Sequence, residues 1–115
     1  ALLIDWKGIL RGIIADRKKG AAAETISYKF HRSVIKAVYE TAVLLSKRYN
    51  INGICLSGGV FYNRVLLSGL LESFAGNGSQ NGDGNFLNVY LPGRISFGDS
   101  AISAGQCYYA MNKLL

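Results

Sequence analysis

Only two short stretches of this chain have the character of a β-strand, and they limit its fold more than any other feature. Gly53-Ile54-Cys55-Leu56 is a nearly all-apolar run, as expected of a strand buried on both faces. Residues 86–91, FLNVYL, form the second, closed by Pro92-Gly93. Everything else with regular patterning repeats at helical spacing. Residues 5–19 place Ile9, Ile13 and Ile14 on one face and end at Gly20. Residues 21–49 carry Ile26, Phe30, Val34, Val38, Ala42, Leu45 and Tyr49 in steps of four or three, and Asn50-Ile51-Asn52-Gly53 breaks the helix.

A third helix is predicted over residues 61–74, with Val65, Leu66, Leu70 and Leu71 on one side. A fourth covers residues 99–114, with the small residues Ser100, Ala101, Ser103, Ala104 and Gly105 suited to close approach onto a sheet. The polar, glycine-rich run 75–85 is expected to be a mobile loop. The predicted order is therefore α-α-β-α-β-α, and a strand-helix-strand unit implies two parallel strands. Two parallel strands do not make a stable sheet alone. This α/β chain of 115 residues is expected to be completed by partner chains or by more of a longer protein.

Composition excludes several classes. Half the residues are hydrophobic, so disorder is excluded, and no apolar run reaches the roughly 18 residues of a membrane span. The N-terminal residues lack the basic start and apolar core of a secretory signal. Cys55 and Cys107, too far apart in sequence for a metal clip, are expected to be buried core thiols in a reducing compartment, with the cytoplasm as the default. The net charge of +6 lies in residues 1–50, where ten Lys or Arg face four acids. Their helical spacing opposite the apolar stripe favours a solvated face over a nucleic-acid surface.

Two places suit chemistry. In LSGGVFYNR (56–64) a strand ends, two glycines turn the chain and a helix begins. Gly58 and Gly59 allow backbone amides to approach a ligand, and a helix start favours a phosphate. Ser57 opens the turn, and Asn63, read as lying in the first helical turn, can donate or accept beside it. A plain tight turn is the other reading. In FGDSAISAGQ (97–106), Asp99 fits either a helix N-cap or a hard oxygen ligand for a metal. His31, the one histidine, borders the apolar stripe and reads as hydrogen-bonded scaffolding.

Together, FHRSVIKAV (30–38), LSGGVFYNRVLL (56–67) and DSAISAGQ (99–106) resemble the C-terminal end of HypF-type carbamoyltransferases, the maturation factors of nickel–iron hydrogenases. The resemblance implies an actin-like ATPase (ribonuclease H-like) fold, of which residues 1–115 would be an incomplete, C-terminal part, inactive in isolation. It implies that Ser57, Gly58, Gly59 and Asn63 hold the phosphate side of ATP or carbamoyl-adenylate. Asp99 would be one ligand of a divalent metal, and His31 would have a supporting role. It implies transfer of a carbamoyl group, made available from carbamoyl phosphate and ATP, to the C-terminal cysteine of a HypE-type acceptor protein. Ser100 and Ala101 stand where that family has two glycines, and its paired metal histidines have no counterpart here. A tRNA threonylcarbamoyl-adenosine synthase-like domain and a non-catalytic interaction module of actin-like fold are the alternatives. The apolar faces left without cover also predict self-association or marginal stability of the isolated chain.

Overall fold

The computed structural model describes residues 4–76 and 87–114. The glycine-rich run expected to be mobile lies mostly outside them, as does Phe86 of the second predicted strand. Among the described residues, four helices and two strands follow in the predicted order: α1 (Lys7–Lys18), α2 (Ala23–Tyr49), β1 (Gly53–Cys55), α3 (Arg64–Gly76), β2 (Asn88–Tyr90) and α4 (Ile102–Leu114). Short 3-10 turns, Gly59–Tyr62 and Asp99–Ala101, precede α3 and α4.

Local chemistry accounts for the helix ends. Gly20 has φ of 75°. Its N–H donates to the Arg17 carbonyl and that of Ala21 to the Asp16 carbonyl, a Schellman closure of α1. Arg17 and Lys18 in the last turn complement the helix dipole. Asn50, at φ of 51°, ends α2 in the left-handed conformation that Asn tolerates best after Gly. The buried Ser46 hydroxyl then donates to the Ile51 carbonyl and holds the chain as it turns into β1.

β1 and β2 pair in parallel, with Gly53, Ile54 and Cys55 opposite Asn88, Val89 and Tyr90. Ile54 and Val89 point inward, and Leu56 and Leu87 continue that face into the core. The other face carries the exposed Cys55 and Tyr90, whose ring lies over Gly53. The strands are thus covered on one face only, which corrects the expectation of a strand buried on both. The reason is that α2 and α3 pack on the same side. Among the described residues α4 makes its substantial contacts only with the turn leading into it. Cys55 and Cys107 are accordingly exposed free thiols rather than core residues. The small residues at the start of α4 do not meet the sheet. With α4 projecting, the radius of gyration is 17.5 Å, against about 13 Å for a compact chain of this length.

The core consists of Ile35 from α2, Leu66, Leu70 and Phe74 from α3, and Leu56 and Leu87 beside the strands. Leu66, Leu70 and Phe74 repeat every four residues along one face of α3. Val65 falls off that face and is exposed, unlike the stripe read from the sequence. In α2 the middle of the predicted stripe packs as expected, through Val34, Val38 and Ala42, joined by Tyr39. Phe30 and Tyr49, toward its two ends, are exposed, while Ile26 is half-buried. Ile9 and Ile13 of α1 line a groove shared with Ile26 and Phe30. An exposed Lys29–Asp16 pair at 2.8 Å spans the two helices and adds little stability. The other basic residues of the N-terminal half are exposed too, consistent with a solvated face.

Helices α2 and α3 approach closely at Gly69. A Cβ there would stand 2.4 Å from Ile35 Cδ1 and 3.4 Å from Cγ1. We expect Gly69→Ala to introduce about 1–3 kcal/mol of overpacking, offset in part by the roughly 1 kcal/mol helical preference of Ala over Gly. Ile35→Val removes Cδ1, so in that background the Gly69→Ala change becomes neutral or stabilising. A double-mutant cycle by urea unfolding checks this: a coupling near zero would refute the clash.

Candidate functional site

The site is built where β1 ends. Leu56 donates its N–H to the Tyr90 carbonyl at 3.0 Å, the last bond of the ladder, and the chain turns at Ser57-Gly58-Gly59. Gly58 has φ of 110° and ψ of 154°, a region that residues with a Cβ scarcely enter. Its N–H donates to the Phe97 carbonyl at 2.8 Å and so ties this turn to the loop before α4. That bond corrects one expectation, because the Gly58 amide is already committed within the chain. The first bond of the 3-10 turn runs from Phe61 N–H to Gly58 C=O, so the N–H groups of Gly59 and Val60 precede it. A Cβ on Gly59 would meet nothing within 4 Å, so the space before this backbone is open. Ser57 is exposed at the head of the turn.

Contrary to the expectation from the sequence, Asn63 does not lie inside a helical turn. It is extended, with φ of −71° and ψ of 103°, between the 3-10 turn and α3. From there its Oδ1 accepts the Leu66 N–H at 3.2 Å, and Asn63 caps α3. Its Nδ2 lies 2.9 Å from His31 Nε2, and His31 Nδ1 lies 2.8 Å from the Ser27 carbonyl on α2. The reading of His31 as hydrogen-bonded scaffolding holds, and its partner is a second candidate site residue.

The two candidate segments meet. Phe97 sits 6.2 Å from Phe61 and 6.1 Å from Tyr62 between ring centroids, edge-on to the latter. The Tyr62 hydroxyl shares a hydrogen bond with Ser96 Oγ, which also accepts the Gly98 N–H at 3.2 Å. A Cβ on Gly98 would stand 3.1 Å from the Tyr62 ring, so glycine permits this approach. Tyr62, Ser96 and Phe97 escaped the sequence reading. Their signal was present as an aromatic beside each glycine turn, but which aromatics meet is a long-range matter.

Asp99 is exposed at the first position of its 3-10 turn, which Gly98 precedes, and no side chain caps that turn. The N-cap reading of Asp99 is therefore corrected. As for a metal, no group of three or more His, Cys, Asp or Glu occurs among the described residues. One exposed carboxylate does not make a binding site, so these residues do not by themselves fit a metal ion. A nucleotide phosphate is a different case, since the open Gly58–Gly59 turn leaves room for one against the backbone.

Residues 1–106 match a family model described as the second subdomain of the carbamoyltransferase Kae1-like domain. Searches of curated proteins and of solved structures returned no match. No helix among the described residues is long and apolar enough to cross a membrane. Because the family model spans nearly the whole chain, including both glycine turns, the chain belongs to the second subdomains of Kae1-like carbamoyltransferase domains.

Proposed function

We propose that this subdomain carries the phosphate-holding side of a carbamoyl-transfer site in a HypF-type enzyme with an actin-like ATPase fold. The observation that supports this best is the Gly58–Gly59 turn. It lies at the carboxyl end of a parallel strand, where α/β sheets tend to bind ligands, and it is open to a ligand. The family match supports the transferase class. In this reading the substrate is carbamoyl-adenylate, made from carbamoyl phosphate and ATP, and the acceptor is the C-terminal cysteine of a HypE-type protein.

The residues divide the work as follows. Gly58 sets the turn, and the N–H groups of Gly59 and Val60 donate to phosphate oxygens. Ser57 and Asn63 supply side-chain hydrogen bonds at its two ends. The acceptor thiolate attacks the carbamoyl carbon, a C–S bond forms, and the C–O bond to the phosphate breaks. AMP leaves with that electron pair, while the thiol proton goes to solvent. Donors fixed at the phosphate stabilise the charge that accumulates there as AMP departs. Asp99 lies on the loop tied to the turn by Gly58. Any metal it helps to hold needs further ligands from beyond the described residues, and no step here is routed through one.

Gly59→Val tests this reading. The space before Gly59 is open, so thermal stability should change little. A branched side chain in that space would block a phosphate, and loss of two hydrogen bonds to a charged group predicts at least a tenfold weaker ATP affinity, roughly, in the full-length protein. Unchanged affinity by calorimetry would remove the phosphate from this turn.

A further inference from the structure

The hydrogen bonds around His31 place every proton. A carbonyl oxygen can only accept, so His31 Nδ1, at 2.8 Å from the Ser27 carbonyl, carries the ring proton and donates it. Nε2 is then the lone-pair side of the ring, and it accepts from Asn63 Nδ2 at 2.9 Å. At the other end of the amide, Asn63 Oδ1 accepts the Leu66 N–H. A flipped amide would set oxygen against the bare Nε2 and N–H against N–H. Both contacts would be repulsive, so the amide has one orientation.

We infer that His31 is a positioning residue: it holds the Asn63 amide in the orientation that presents its second Nδ2 hydrogen to an acceptor oxygen of a bound nucleotide. This rests on the proposal that the Gly58–Gly59 turn holds a nucleotide. Asn63 is exposed, and at the N-cap its Oδ1 alone would be held by Leu66. His31 is half-buried on α2 and supplies the second anchor, from a helix that otherwise takes no part in the site. The capping of α3 and the setting of a ligand donor are thereby done by one side chain, oriented from outside its own segment.

Two measurements on the full-length protein test it. In nitrogen NMR, His31 should show a protonated Nδ1 and a bare Nε2, and Asn63→Ser, which keeps a good N-cap but removes the amide donor, should shift the Nε2 resonance while the Ser27 carbonyl keeps the proton on Nδ1. A wild-type ring protonated at Nε2 overturns the inference. By calorimetry with ATP, His31→Leu should weaken binding about tenfold, and His31→Gln, whose amide oxygen can accept in place of Nε2, should recover most of that loss. No loss in His31→Leu, or equal losses in both variants, also overturns it. If Asn63→Ser weakens ATP binding and His31→Leu does not, only the positioning role fails. If Asn63→Ser binds ATP as tightly as wild type, Asn63 makes no nucleotide contact and the inference fails, while the nucleotide reading itself is decided by Gly59→Val.

Discussion

Leu70→Ala should destabilise the chain by about 2–5 kcal/mol, the range for truncating a fully buried leucine. Leu70 is 0% exposed, between Leu66 and Phe74 on the inner face of α3. Its loss leaves a cavity at the centre of a core of six buried apolar residues among those described. Small domains have only about 5–15 kcal/mol of stability in all, so this one change should consume a large share of it. In urea the midpoint should fall while the slope is unchanged, since the surface exposed on unfolding stays nearly the same. Val65→Ala is the control. Val65 is 58% exposed, and its truncation should stay within about 0.5 kcal/mol. Equal losses at the two positions would mean that α3 presents a different face to the core.

The second large effect is expected at Gly58, where the cost is conformational. Nothing lies within 4 Å of a Cβ there, so Gly58→Ala meets no clash. It must still adopt φ of 110° with ψ of 154°, which costs about 1–3 kcal/mol for a residue with a Cβ. If the turn relaxes instead, the Gly58 N–H leaves the Phe97 carbonyl, and the two loops of the candidate site separate. Gly58→Ala should therefore lower both thermal stability and ATP affinity. Gly59→Ala, with open space and no positive φ, should leave stability nearly unchanged. Identical melting temperatures for the two variants would contradict the assignment of strain to Gly58.

Much of the site was legible because its parts are local. A glycine pair after an apolar run marks a turn at a strand end, and the apolar stripe marks α3. The sequence starts that helix at residue 61, with Asn63 inside its first turn, whereas the structure makes Asn63 the cap before Arg64. The cysteines depart from expectation for a physical reason. Cys55 stands in an apolar run, and such a run does not say whether one face or both will be covered. Only the placement of α2 and α3 on the same side leaves its thiol exposed. Of the two readings of Asp99, the cap fits the residue type but not the backbone, which makes Gly98 the residue before the turn.

By itself, the sequence determined the order of the elements, the ends of α1 and α2 at Gly20 and Asn50, and the glycine turn after β1. All of these depend on backbone preferences over a few neighbouring residues. Only the tertiary structure decided which sheet face is covered, that α4 stands apart from the sheet, and that the Gly58 amide is spent on Phe97. It alone joined His31 to Asn63 across 32 residues of chain. Such contacts depend on how helices and strands pack against one another, and residue spacing along the chain carries no record of that.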